Sequence, residues 1–185
     1  MPLVTYITIL LAILNYIRLN DLKKKESHDL ALIDAGALQT PYYGGLKQSY
    51  RFLTAGFVHM SFYHLFMNLY CMYYLGTSLE YILGHISYAI LLVGSIILGN
   101  VFQALIGNDY TISGGLSSGI YGLLATELIF IYLLYGIGGI THNTSLLITI
   151  ILNVSLNFMP GVSWKAHLGG ATFGALFMAV IYYIL

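Results

Sequence analysis

Apolar residues fill this chain in long runs, and polar residues are confined to the breaks between them and to one extended polar stretch, residues 20–56. About 20 consecutive apolar residues suffice to cross a bilayer as a helix. By that measure six runs emerge: Leu3 to Ile17, Phe57 to Leu83, Ile86 to Ile106, Leu116 to Ile140, Ser145 to Met159 and Ala166 to Leu185. The first and fifth are short. Local thinning of the bilayer and snorkelling cations accommodate a short span, and Arg18 with Lys23 to Lys25 suit that task after the first. A secretory signal is the rival reading of residues 1–19; no basic stretch precedes the apolar run and no clear small-residue cleavage site follows it. The pattern predicts an all-α integral membrane protein, a six-transmembrane-helix bundle forming a single domain over residues 1–185.

The polar stretch carries Lys23, Lys24, Lys25, Glu26, Asp29 and Asp34, then the turn-rich Pro41-Tyr42-Tyr43-Gly44-Gly45. Within it Asp29 to Leu38 mixes acids with Leu30, Leu32, Ile33 and Leu38, which predicts a short amphipathic helix lying at the membrane interface. All other connections are short. Many of the 17 tyrosines fall near run ends, where they suit interfacial anchoring.

Composition sharpens this picture. Only 8% of residues are charged and 58% are hydrophobic, against about a quarter charged in soluble domains, so a soluble domain is excluded. From Ala55 onward the only Asp, Glu, Lys and Arg are Glu80, Asp109, Glu127 and Lys165. Seven basic residues balance seven acidic ones, which leaves no basic field for nucleic acid. The single cysteine, Cys71, has no intrachain disulfide partner, and zinc-module spacing is absent.

Six crossings impose a parity: the second, fourth and sixth helices run in one direction, so residues near their beginnings share one depth. There lie His59, His64 and Asn68, the Ser117-Ser118 pair, and His167. Polar groups inside a bilayer are costly and tend to face the bundle interior and to mark function. A serine needs a base to become a nucleophile, and histidine is the natural one near neutral pH, which makes Ser117 and His167 candidates. Gly114-Gly115-Leu116-Ser117-Ser118-Gly119 places a serine at a glycine-rich helix start, where free N–H groups stabilise an oxyanion; a helix cap or small-residue packing is the plainer reading. His167, Gly170 and Gly174 share one stripe of the last helix, and Gly115, Gly119 and Gly122 surround the serines, so the two backbones can approach closely. His64 and Asn68, four apart, aim at one point, either as oxyanion donors or as an interhelical hydrogen-bond pair. His59 would point about 140° from His64 in an unbroken helix and would brace the loop above. Three histidines also invite a metal, but no His-Glu-x-x-His occurs and Glu80 and Glu127 lie deeper in their helices, so no metal is expected. Lys165, the one candidate for a Ser-Lys dyad, lies at the water boundary. Asn100 and Gln103 are read as interhelical hydrogen-bonders, and Glu127, about 15 Å below Ser117, has no assigned role.

Over residues 46–185 these features resemble the rhomboid intramembrane serine proteases. The resemblance runs in order through Tyr50-Arg51-Phe52-Leu53-Thr54, the His-x4-His-x3-Asn of His59, His64 and Asn68, and Glu80-Tyr81-Ile82-Leu83-Gly84. It continues through Gly115-Leu116-Ser117-Ser118 with Ile120-Tyr121-Gly122-Leu123, and ends in Ala166-His167-Leu168-Gly169-Gly170 with Gly174. It implies a rhomboid-like bundle in which Ser117 is the nucleophile and His167 its base, a dyad with no third member. His64, Asn68 and the backbone N–H of Ser117 are implied as the oxyanion hole, and Tyr121 as packing on the His167 ring. Arg51 is implied as a structural residue of a membrane-embedded first loop, residues 20–56. Ser118 stands where glycine is commonest in that family, and the register of Ile120-Tyr121-Gly122 favours Ser117 over it.

The activity implied is hydrolysis of peptide bonds in or near transmembrane segments of membrane protein substrates, with the lipid bilayer as the other partner and no cofactor. The resemblance places the first loop and the catalytic mouth on the extracytoplasmic side of a cell membrane. Counting Arg18, Lys23 to Lys25, Lys47 and Arg51 would instead make that loop cytoplasmic. Two other readings compete: a catalytically inactive rhomboid-like binder or chaperone of transmembrane helices, and a small-solute transporter, for which no pair of broken helices in repeated halves is evident.

Overall fold

The computed structural model describes residues 1–41, 45–107, 110–157 and 162–184. Residues 42–44 of the turn-rich segment, Asp109, and the expected span ends at Met159 and Leu185 lie outside the described residues. Helices α1 (Leu3–Leu22), α2 (His28–Asp34), α3 (Arg51–Thr54), α4 (Phe62–Cys71), α5 (Thr77–Ile106), α6 (Ser117–His142), α7 (Thr144–Leu156) and α8 (Trp164–Ile184) dominate it. Among the described residues four helical stretches are long and apolar enough to cross a membrane: Leu3–Leu22, Phe62–Ile106, Ser117–His142 and Trp164–Tyr183. The apolar stretch Thr144–Ser155 is shorter.

Burial is arranged for lipid. Helix α1 buries Thr5 (0% exposed) and Thr8 (5%) while Leu10 (54%) and Leu14 (52%) face outward, the reverse of a soluble protein. It also runs five residues past the expected end at Ile17, so it is not a short span. The 45-residue stretch Phe62–Ile106 measures about 68 Å as a continuous helix, twice the thickness of a hydrocarbon core. It contains one π-helical turn, Met72–Gly76, and breaks at Gly84, whose φ of 75° and ψ of 163° are non-helical. The break separates residues 62–83 from 85–106, close to where the second and third apolar runs divide.

Two expectations about the connections need correction. The expected helix from Asp29 to Leu38 ends at Asp34, because Leu38–Thr40 forms β1, paired antiparallel with β2 (Thr111–Ser113) in the register Leu38 to Ser113. Three-residue strands are too short for an alternating pattern to be read, so an all-helical expectation misses them. The second membrane helix begins not at Phe57 but at Phe62: Ala55–Phe57 is a 3-10 turn and Ser61 caps the helix, its hydroxyl accepting from the His64 N–H.

The first loop packs Ala31, Leu32, Ala35 and Ala37 into a small core with Leu19 of α1 and with Val58. Arg51 is buried and donates to the carbonyls of Ile33 and Ala37 and to Gln48 Oε1, which ties the loop's two halves together. Asn100 makes an interhelical bond, from α5 to Phe52 O of α3, whereas Gln103 reaches Thr111 Oγ1 of β2. Glu127 is half-buried, with Oε2 unpaired among the described residues.

The closest packing joins α5, α6 and α8. A methyl group added at Gly170 would strike the Ser118 carbonyl oxygen, and one at Gly174 the Gly122 carbonyl oxygen. Thr126 Oγ1 donates to Gly174 O at 3.1 Å across the same seam. Backbone is thus laid against backbone where α6 begins, which sets the distance between the residues at 117 and 167.

Candidate active site

Strand β2 delivers the chain to Gly114 and Gly115 and so into the first turn of α6. Gly115 has a φ of +130°, which side-chain-bearing residues rarely adopt, and a Cβ there would lie 2.8 Å from His64 Nε2. Its N–H donates to Ala55 O at 2.9 Å, anchoring the turn to the 3-10 segment. Ser117 is the first residue of α6, so its backbone N–H is among those a helix leaves without an internal acceptor.

His167, one turn into α8, presents Nε2 to Ser117 Oγ at 2.8 Å. Its ring lies on that of Tyr121, with centroids 4.2 Å apart and planes 8° from parallel. Ser118 turns the other way: its hydroxyl is buried toward Gly99 of α5, has no hydrogen bond among the described residues, and does not reach the cavity.

A cavity of about 280 Å³ opens beside the pair, lined by Ser117, His167, His64, Asn68, Tyr121 and Cys71 among others. A water needs only about 10–15 Å³ of such space. His64 and Asn68 both face this cavity, as their four-residue spacing requires. Asn68 Nδ2 donates one hydrogen to His64 O at 2.8 Å, which leaves its second for the cavity.

His59 is fully buried outside this cavity. Its Nδ1 donates to Phe57 O at 3.3 Å, so Nε2 accepts from the Leu116 N–H at 3.4 Å. It therefore braces the turn before Ser117. The expected 140° separation from His64 does not arise, because the helix starts only after His59, and the two rings meet edge to face at 5.1 Å.

Glu80 stands far from these residues, near the other end of the helical stretch 62–83 and beside the start of α1. Its carboxylate accepts from the N–H groups of Val4 and Thr5 and from Thr5 Oγ1, at 2.7–2.8 Å, capping a helix whose own N-cap residue, Pro2, offers no side-chain acceptor. Lys165 does not line the cavity; its Nζ donates to Ile106 O at 3.0 Å.

Asn153 in the last turns of α7 and Asn157 at its C-cap belong to the site as well, although nothing in the sequence sets them apart from the other polar residues of that helix. Asn157 Oδ1 lies against His167 Nδ1, and its Nδ2 is 2.6 Å from the Tyr121 hydroxyl. The Tyr121 hydroxyl in turn meets Asn153 O.

Fold and site together define a multi-pass, all-α membrane protein whose serine and histidine meet beside an internal cavity. The sequence model of the Rhomboid domain matches residues 46–184, and the chain belongs to the rhomboid family. RHOMBOID-like protein 7 of Arabidopsis thaliana is 32% identical over 127 residues, covering 67% of this chain and 40% of that protein. Rhomboid-type serine protease 2 of Emericella nidulans is 30% identical over 131 residues, 69% of this chain and 26% of its own length. RHOMBOID-like protein 4 of Arabidopsis thaliana is 30% identical over 132 residues, 70% of this chain and 33% of its own. The chain thus spans between about a quarter and two fifths of these curated relatives.

Proposed function

We propose that this protein is a serine endopeptidase of the rhomboid type, hydrolysing peptide bonds in or near the transmembrane segments of other membrane proteins. The observation that carries the reading is the 2.8 Å approach of His167 Nε2 to Ser117 Oγ at the wall of a cavity. A relative whose name is rhomboid-type serine protease adds support. In this reading the chain crosses the bilayer six times, through α1, residues 62–83, residues 85–106, α6, α7 and α8.

Ser117 Oγ attacks the carbonyl carbon as its proton passes to His167 Nε2, and the carbonyl oxygen takes the displaced electron pair. That oxyanion is met by the Ser117 N–H, by Asn68 Nδ2 and by the His64 ring. Collapse breaks the C–N bond, and the amine departs with the proton from His167. A water from the cavity then gives a proton to His167 and attacks the ester carbon; collapse breaks the bond to Ser117 Oγ, which takes the proton back from His167 as the peptide leaves as its carboxylic acid. A helical substrate must unwind to offer its carbonyl, so segments weakened by glycine or other poor helix formers near one surface are preferred.

Labelling with a fluorophosphonate in detergent tests the chemistry: Ser117→Ala abolishes it and Ser118→Ala does not. Label retained in Ser117→Ala, or failure of unlabelled wild-type protein to cleave single-span substrates, would overturn the reading. We place the cavity mouth on the extracytoplasmic side of a cell membrane, following the resemblance. A Leu46→Cys variant in a Cys71→Ser background then reacts with an impermeant maleimide in intact cells, since Leu46 is 94% exposed; reaction only after permeabilisation reverses the orientation.

A further inference from the structure

The hydrogen bonds of Asn157 allow it one orientation. The carbonyl of Asn153 only accepts, so the Tyr121 hydroxyl donates its single proton there. The Tyr121 oxygen must then accept from Asn157, which turns the amide nitrogen toward Tyr121, at 2.6 Å. The amide oxygen is left facing His167 Nδ1. An amide oxygen also only accepts, so Nδ1 carries the imidazole proton, and the lone pair of a neutral ring resides on Nε2, the atom 2.8 Å from Ser117 Oγ.

We propose that Asn157 is a positioning residue that fixes the His167 tautomer, so that the site works as a Ser117–His167–Asn157 unit rather than a dyad. This rests on the hydrolytic reading for its catalytic consequence, but not for the tautomer itself. Stacking on Tyr121 sets the plane of the ring, and Asn157 sets its rotation within that plane. The third member acts on the base as the asparagine does in Cys-His-Asn proteases. An amide suits a site inside a bilayer, because it orients the ring without burying a charge. Asn153 completes the arrangement: its carbonyl holds Tyr121, while its own Nδ2 is occupied by Thr149 O at 2.9 Å.

The test uses full-length protein in detergent, with ¹⁵N-labelled histidine and the His167 signals assigned by their loss in His167→Ala. Wild type shows the Nδ1–H tautomer at His167, and Asn157→Ala loses it. With a single-span substrate, Asn157→Ala lowers kcat by about ten- to a hundredfold while KM stays within about twofold, as expected when only the base is misplaced. Asn157→Asp keeps an acceptor at Nδ1, so it retains the tautomer and restores kcat to within about fivefold of wild type. An unaltered tautomer in Asn157→Ala, or equal loss of kcat in the Ala and Asp variants, overturns the proposal. Should Asn157→Ala fail to fold, the Asp variant decides: Nδ1–H supports the proposal and Nε2–H overturns it. Wild-type protein that neither labels at Ser117 nor cleaves would sink the hydrolytic reading, while the tautomer still reports on Asn157.

Discussion

Two buried polar clusters lie toward opposite ends of the helical stretch 62–83, one beside His64 and Asn68 and one around Glu80, and they differ in what they leave unused. Around Glu80 both carboxylate oxygens are engaged: Oε1 by the Val4 N–H and His85 Nδ1, Oε2 by the Thr5 N–H and hydroxyl. At the other end a chain of bonds runs from Asn153 through Tyr121, Asn157 and His167 to Ser117, and there it meets a cavity. A buried polar group whose bonds are closed on the protein holds structure. A directed chain that ends in open space keeps hydrogen-bonding capacity for something that enters.

If the contrast is right, substitutions at the two ends should fail in different ways. The largest effect falls on the open end: Ser117→Ala lowers turnover of a single-span substrate by at least about 10⁴-fold with an unchanged thermal transition. Asn68→Ala comes next, with kcat reduced by about ten- to a thousandfold in folded protein, measured in the same assay; unchanged turnover would remove Asn68 from the oxyanion hole. Gly170→Ala probes the seam between α6 and α8. Its methyl meets the Ser118 carbonyl oxygen, so thermal unfolding in detergent should show a loss of about 1–3 kcal/mol from overpacking.

The closed end answers in stability alone. Glu80→Ala leaves the N–H groups of Val4 and Thr5 without their acceptor, costing about 1–3 kcal/mol, while the protein that remains folded turns over at the wild-type rate. His85→Ala is the mildest change. The His85 side chain is 54% exposed where it meets Glu80, so solvent screening holds the loss below about 1 kcal/mol. A collapse of kcat in the Glu80 variant at full stability would erase the distinction between the two clusters.

Much of the site was legible before any coordinates. Ser117, His167, His64 and Asn68 sit near helix beginnings that a six-span reading places at one depth, residues four apart on a helix share a face whatever surrounds it, and Tyr121 followed only from the family resemblance. Other features were not legible. His59 contacts His64 because the Ser61 cap delays the helix, a boundary no apolar run reveals. The strand at Leu38–Thr40 depends on a partner some 70 residues away in the chain, and so short a segment carries no pattern of its own. Asn157 reads as an ordinary helix-end asparagine until α7 is set beside α8.

By itself, then, the order of residues determined the solvent and the long helices: apolar runs this long with so few charges have no stable state in water, and within lipid a helix satisfies its own backbone. It also determined which polar groups are buried at a common depth. Tertiary packing decided which of them touch, which serine faces the histidine, and which way a single amide points. Those outcomes depend on side chains from separate helices meeting to within a few tenths of an ångström, and that is set by glycine seams and by hydrogen-bond closure across the bundle, not by spacing along one helix.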